Sequence, residues 1–278
     1  VMYWFVKHLS RFVFTVLKLR RTVVMENLRH AFPEKSGEEL ERIARECYYH
    51  IGITFFEVMI IPDISNNIDE VLENKCLTHE LALLRGDDGC VMVSAHMGSW
   101  EMVGAIMGNA GVHLYPVVKR QANPYVDRYI NRRRAMYGST VVYAGMSVKK
   151  ILKVVKKGGV PGLISDQDSG RHGVFVDFFN RPASTPVGAA ALALKYNIPI
   201  VIIIAVRTVP GKYHVYSREV KQVPGDTVET LTARYTGIIE DVVRKHPEQY
   251  FWMHKRWKTR PPVESADRAD RTGEAVHS

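Results

Sequence analysis

Along the first sixty residues apolar side chains recur at three- and four-residue intervals, the periodicity of helices that bury one face. Ser36 begins the second of these segments with a Ser-x-x-Glu box to Glu39, and the amphipathic pattern continues past Glu57 to Pro62. Beyond that point the texture changes. Short apolar runs bounded by Gly, Pro or Asp, at 90–95, 112–118, 140–143, 160–165 and 199–206, read as strands. Longer helical patterns at 99–109, 124–137, 147–157 and 186–196 separate them, and 227–245 makes one more helix. Such alternation predicts an α/β fold: a central, mostly parallel mixed sheet flanked by helices, preceded by N-terminal helices.

The N-terminal segment carries a second message. Lys7, Arg11, Thr15 and Lys18 fall on one stripe of a helix, leaving Tyr3, Trp4, Phe5, Leu9, Phe12, Val13, Val16 and Leu17 on a broad apolar face, the pattern of a helix lying in a membrane interface. An ordinary helix packed on its own domain fits the same pattern. A spanning helix needs roughly 20 mainly apolar residues, and Lys7, His8, Ser10 and Arg11 interrupt the run too early. An upstream anchor is compatible with a chain that begins on Val1. The expected organisation is therefore one domain over 1–261, with 1–33 as its membrane-proximal part, and a polar, disordered tail over 262–278.

Composition sharpens this. A chain of 278 residues with 46% hydrophobic content buries a substantial core as one domain. Its formal charge of +9 and pI near 9.4 favour an anionic partner: phosphate-bearing lipid, nucleic acid or an acidic carrier protein. Cys47, Cys76 and Cys90 form no close pair, so neither a disulfide framework nor a zinc site is indicated. No Walker loop, Gly-x-Gly-x-x-Gly or Gly-x-Ser-x-Gly elbow occurs, which disfavours nucleotide binding and serine hydrolysis. His79, His113 and His214 are scattered and read as surface or packing residues.

The strongest chemical signal is 91–101, a buried-looking strand that stops at His96 and turns through Gly98 into a helix bearing Glu101. In open α/β sheets the carboxyl ends of strands face the ligand crevice, so His96 stands where a reactive group belongs. On one continuous helix residues five apart would lie about 140° from each other. The two side chains therefore meet only if His96 sits in the turn and Glu101 on the first helical turn. In that geometry Glu101 would hold one imidazole nitrogen and leave the other free as a base. A strand-end histidine that merely caps a helix is the plainer alternative.

Ser-Ala-His96-x4-Glu101 resembles the His-x4-Asp/Glu signature of glycerolipid and lipid A acyltransferases, and Gly98-Ser-Trp-Glu101 is similar to the late lipid A acyltransferases in particular. Further segments match in order: Arg21 to Pro33 with Asn27, Asp166-Gln-Asp168, Val174 to Phe179, Ser184 to Gly188, and Pro247 to Pro261 with Trp252, His254, Arg256 and Arg260. The resemblance implies a glycerolipid acyltransferase-like fold and transfer from acyl carrier protein, or from acyl-CoA as the alternative donor, with no metal and no covalent enzyme intermediate. It implies His96 as base, Glu101 as the carboxylate that orients and charges it, and an Arg stabilising the carbonyl oxygen, with Arg134 favoured over Arg133. It also carries over Asp166 as a polar active-site residue, and Lys119 and Asn123 as substrate-binding positions. Where relatives read Tyr-Arg-Pro, this chain has Val118-Lys119-Arg120, which keeps charge but loses bidentate geometry at Lys119. The implied function is O-acyl transfer to a hydroxyl of an anionic lipid A precursor at the cytoplasmic face of the inner membrane. Another glycolipid acceptor, such as a phosphatidylinositol mannoside, and a non-catalytic basic membrane-binding protein are the alternatives. Trp252, Lys255, Arg256 and Trp257 would also suit nucleic-acid stacking, but no RNP-like, helix-turn-helix or zinc-finger pattern accompanies them, so no nucleic-acid partner is expected.

Overall fold

A computed structural model describes residues 2–64, 68–74, 78–86, 89–145, 148–155 and 157–262. The helices are α1 (Met2–Phe12), α2 (Arg21–Ala31), α3 (Gly37–Ile64), α4 (Ile68–Val71), α5 (Thr78–Arg85), α6 (Trp100–Asn109), α7 (Pro124–Met136), α8 (Val148–Val155), α9 (Gly188–Tyr196) and α10 (Val228–Lys245). The strands are β1 (Val91–Ser94), β2 (Leu114–Val118), β3 (Val142–Tyr143), β4 (Val160–Ile164), β5 (Val174–Asp177), β6 (Pro182–Thr185), β7 (Ile200–Arg207) and β8 (Tyr213–Val220). Six of them form one sheet in the order β3-β2-β4-β1-β7-β8, parallel except for β8, and β5 with β6 makes a separate antiparallel hairpin. This is the expected mostly parallel mixed sheet with helices around it.

The strands predicted from apolar runs are present, because β1 and β7 are buried along their whole length and so read as continuous hydrophobic stretches. Three strands went unpredicted. The edge strand β8 buries Tyr213, Val215 and Val220 but turns polar residues such as Arg218 outward, so its signal is diluted. Strands β5 and β6 are four residues each and include Pro182, a strand breaker tolerated at an edge. The predicted start of α8 at residue 147 lies outside the described residues, as does the expected tail from 263 onward.

The capping box opens α3 as expected: Ser36 N–H donates to Glu39 at 2.8 Å, and Glu39 N–H donates to the Ser36 hydroxyl at 3.2 Å. Helix α1 packs on α3 through Val6 and Ser10, and a Cβ at Gly52 would meet Val6 at 2.8 Å. Of its large side chains, Phe5 also touches α3, edge-on to Phe56 with ring centroids 5.9 Å apart. Trp4, Phe5, Leu9 and Phe12 stay between 42% and 66% exposed, so packing on its own domain does not account for the apolar face. Among the described residues no helix is long and apolar enough to cross a membrane.

One polar cluster ties these layers together. Glu57 of α3 is fully buried and accepts from Arg207 Nε at 2.6 Å and Nη2 at 2.5 Å, from Tyr213 Oη at 2.5 Å and from Ser99 Oγ at 2.6 Å. Burial opposes the charge on Arg207, but Glu57 more than offsets it and the guanidinium is held above its ordinary pKa. Thr54, one turn earlier on α3, donates to Gly98 O at 2.8 Å. The pair thus joins α3, β7, β8 and the turn after β1. Removing one partner strands the other charge away from water, which typically costs about 3–5 kcal/mol. Glu57→Leu and Arg207→Met should each lower unfolding free energy by roughly that amount in urea titrations, and the double variant should lose clearly less than their sum. Additive losses would mean the two charges are not coupled.

Candidate active site

The parallel register of β1 with β4 pairs Ser94 with Ile164. Two residues beyond that pair, on the same edge of the sheet, the chains deliver His96 and Asp166. The His96 backbone N–H donates to Asp166 Oδ2 at 3.0 Å, and His96 Nδ1 lies 2.8 Å from Asp166 Oδ1. The carboxylate accepts only, so Nδ1 carries a proton, and in the neutral imidazole the lone pair then sits on Nε2, which has no partner among the described hydrogen bonds. Burial pushes the Asp166 carboxyl up. The His96 imidazole beside it, the two hydrogen bonds from His96 and the Arg256 guanidinium outweigh that, and its pKa is lowered.

The expectation that Glu101 steers His96 is corrected by this geometry. Trp100 opens α6 and Glu101 lies in its first turn, yet no hydrogen bond joins it to the imidazole among the described residues. Glu101 instead accepts a bidentate pair from Arg134, Nε to Oε2 at 2.9 Å and Nη2 to Oε1 at 2.5 Å, with Tyr137 Oη donating to Oε2 at 3.4 Å. Burial works against charge on Arg134, but Glu101 prevails and keeps it above its ordinary pKa. Burial and then the Glu101 charge push the Tyr137 phenol well up, so it stays a neutral donor. A bidentate fork fixes a guanidinium plane in a way one lysine contact would not. Arg134 Nη1 also donates to Asn131 at 3.1 Å, leaving one N–H on each terminal nitrogen without a described partner.

The turn itself is held from three sides. Gly98 has φ +56°, and a Cβ there would come within 2.0 Å of Ala205 O, so only glycine fits. Its N–H donates to Gln249 O at 2.9 Å, and Ser99 N–H donates to Ala205 O at 2.9 Å. Phe251 N–H donates to His96 O at 2.9 Å, and Tyr250 Oη donates to Asp166 O at 3.2 Å. Arg256 is buried and donates to Ser184 O and Thr185 Oγ1, both at 2.6 Å. Asn27 fastens the same C-terminal segment from α2, donating to Trp252 O at 2.8 Å and His254 O at 2.7 Å.

Beside the two carboxylate pairs runs a partly open pocket of about 60 Å³, walled by apolar residues including Met92, Val103, Leu114 and Leu163. Glu101, Arg134 and Tyr137 line it too, and Trp100 links it to the base, since its ring meets the His96 ring edge-on with centroids 5.5 Å apart. Arg133 is turned the other way, donating to the Tyr129 hydroxyl at 3.2 Å. Asn123 caps α7, accepting from Tyr125 N–H at 2.9 Å. Lys119 is exposed, and among the described residues no side-chain contact draws it toward the pocket. Two site residues escaped the sequence reading, Tyr137 and Trp100. Their signal was faint: Gly104 and Gly108, one helical turn apart on α6, admit the Tyr137 ring and backbone, and a Cβ at Gly108 would stand 1.8 Å from Tyr137 O.

The family model described as bacterial lipid A biosynthesis acyltransferase matches residues 1–259. The chain is 27% identical over 258 residues to the lipid A biosynthesis palmitoleoyltransferase of Escherichia coli K12, covering 90% of this chain and 82% of that protein. It is 26% identical to the lauroyltransferase of the same organism over 262 residues, 91% of this chain and 84% of the relative, and 25% identical to its myristoyltransferase over 266 residues, 92% and 80%.

The lowered pKa of Asp166 has a stability consequence. Its folded value lies below the unfolded one, near 4, so the stabilisation is fully present above that pH and disappears as pH falls through the folded value. The stability difference between the native chain and Asp166→Asn should therefore be constant from neutrality to about pH 5 and shrink in more acid solution. A difference independent of pH in chemical denaturation would show that the carboxylate is not held ionised by His96.

Proposed function

This chain belongs to the bacterial lipid A biosynthesis acyltransferase family, and we propose on that basis that it moves a fatty acyl chain from acyl carrier protein onto a hydroxyl of a lipid A precursor. The observation that carries this reading is the His96–Asp166 contact beside an apolar cavity that also holds Glu101 and Arg134. His96 Nε2 takes the proton of the acceptor hydroxyl while Asp166 keeps Nδ1 protonated and balances the imidazolium, a general-base effect worth roughly 10²–10⁴-fold. The alkoxide oxygen attacks the thioester carbonyl carbon, the C–O bond forms, and negative charge gathers on the carbonyl oxygen. Arg134, held by Glu101, offers its remaining N–H groups to that oxygen, the kind of donor whose loss costs roughly 10²–10³-fold. The C–S bond then breaks, and the carrier's thiolate leaves with the proton returned from His96. No metal and no acyl-enzyme is needed for this sequence. The apolar pocket takes the first part of the acyl chain.

The donor is acyl carrier protein, or acyl-CoA in its place, since a strongly acidic carrier suits a chain of formal charge +9. The anionic glycolipid is reached from the cytoplasmic face of the inner membrane, where α1 lies with Trp4, Phe5, Leu9 and Phe12 in the interface and Lys7 and Arg11 toward headgroups. Nucleic acid is not a partner in this account.

Transfer of labelled acyl groups from carrier protein to a lipid A precursor tests the roles one by one. His96→Gln and Asp166→Asn should each reduce kcat by at least about 10²-fold with the fold intact; near-native rates in either would sink the mechanism. Arg134→Lys should lower kcat while leaving the donor KM within a few-fold, because charge remains and bidentate geometry does not. Mass spectrometry of lipids from cells making the protein separates a lipid A acceptor from another glycolipid: a product on phosphatidylinositol mannoside would overturn the acceptor and keep the chemistry.

A further inference from the structure

Helix α7 does two jobs on opposite sides. Inward it presents Arg134 to Glu101 and buries its one acidic residue, Asp127, which accepts from Gln121 N–H at 2.8 Å and from Tyr143 Oη at 2.6 Å. Outward it shows Tyr125, Arg128, Tyr129, Arg132 and Met136, whose spacing of three, one, three and four puts them on one stripe. Tyr125 is 79% exposed and Met136 59%. Arg128 and Arg132 enter no ion pair among the described residues, and Arg133 lies over the Tyr129 ring at 5.2 Å. A soluble helix normally turns such tyrosine and methionine side chains inward; here they stand out, interleaved with arginine and with no carboxylate among them.

This stripe is not isolated. Helix α3 packs against both α1 and α7 and adds Phe55 and Met59, 58% and 48% exposed, with Phe56 meeting Phe5 of α1 edge-on at 5.9 Å. Apart from Val209 and Val223, the strongly exposed large hydrophobic side chains among the described residues all lie in 4–19, α3 or α7. Clustering of that kind marks an interaction surface rather than scattered exposure. We propose that the outer face of α7 is a second contact with an anionic bilayer, so that the protein lies on the membrane through α1, α3 and α7 together, with Arg134 and its pocket on the far side of α7 from that contact. Charge complementarity alone would admit an acidic carrier protein. The bulky tyrosines and methionine beside arginine match the headgroup boundary, where aromatic rings and cations settle together, and the surface runs on from the apolar face of α1. The α1 part rests on the membrane placement given above; the α7 part rests on its own residues.

The test is co-sedimentation of the full chain with vesicles of phosphatidylglycerol and phosphatidylcholine in equal parts. Arg128→Gln with Arg132→Gln should weaken partitioning by roughly fivefold per arginine at low salt, with the difference fading as salt rises. Tyr125→Ser with Tyr129→Ser and Met136→Ser should weaken it by about tenfold or more at any salt. All five side chains are exposed, so unchanged thermal midpoints serve as the folding control. Native partitioning of both sets, while Trp4→Ser with Phe5→Ser releases the protein, would overturn the proposal. Native partitioning with a raised KM for acylated carrier protein would also overturn it, and assign the face to the carrier. Acyl transfer to a detergent-dispersed acceptor is measured alongside: its failure in the native chain bears on the enzymatic reading, whereas loss of vesicle binding alone does not.

Discussion

The site depends on one buried carboxylate being fully satisfied. Glu57 sits in the middle of α3 with four donors around it, from β7, β8 and the turn after β1. A charge so far from water is tolerated only when nearly every acceptor position is filled, so the arrangement tolerates little displacement of any contributor. Ser99 is one of those donors, which places the first turn of α6 at a set height above the sheet. Thr54 holds the carbonyl of Gly98 next door. A long N-terminal helix that touches neither His96 nor Arg134 by hydrogen bond thus decides where the loop between them lies.

With the turn held there, two carboxylates divide the chemistry between them. Asp166 has the imidazole on one side and the field of the buried Arg256 on the other, so it remains an anion although burial opposes this. Glu101 spends its oxygens on Arg134 and Tyr137. A single acid serving both partners would have to neutralise an imidazolium and aim a guanidinium at once, with one pair of oxygens. Separate acids let the base and the carbonyl-oxygen donor be positioned independently, each in a dry setting where its hydrogen bonds are stronger than in water.

The layered α/β fold was legible because its central strands are continuously apolar and its helices are amphipathic. The edge strand β8 and the hairpin of β5 and β6 were not, since half-solvated or four-residue strands carry little periodicity. At the site, His96 was legible from its place at a strand's end. Its partner was misread for a physical reason: spacing along the chain reveals neighbours on one helix, whereas His96 and Asp166 are 70 residues apart and meet through strand register. Register between β1 and β4 is fixed by packing on both faces, which the local pattern does not encode. Arg133 and Arg134 were indistinguishable as a charge run, and only the rotation of α7 separates them, one toward Glu101 and the other toward Tyr129. The aromatic and basic segment from Pro247 to Pro261 read as a packed C-terminal element bearing a few phosphate-facing cations. Its observed work is largely structural: Gln249, Tyr250 and Phe251 stitch the His96 turn, and Arg256 lies buried beneath Asp166's loop.

The rotation of α7 carries a geometric constraint as well. A helix with its side chains is about 10–12 Å across, and one face of α7 holds Arg134 while the opposite face bears Tyr125, Arg128, Tyr129 and Arg132. If the outer face rests at the headgroup level, the helix becomes a spacer of set thickness between the lipid surface and the guanidinium. Tilting the protein to bring its reacting centre nearer the bilayer would lift the stripe away, and burying the stripe deeper would carry Arg134 down with it. An acceptor hydroxyl raised above the headgroup boundary by about the width of the helix is within reach of such a spacer, whereas one left down in the acyl region is not. The depth at which the acceptor presents its hydroxyl is then a property that this single helix selects.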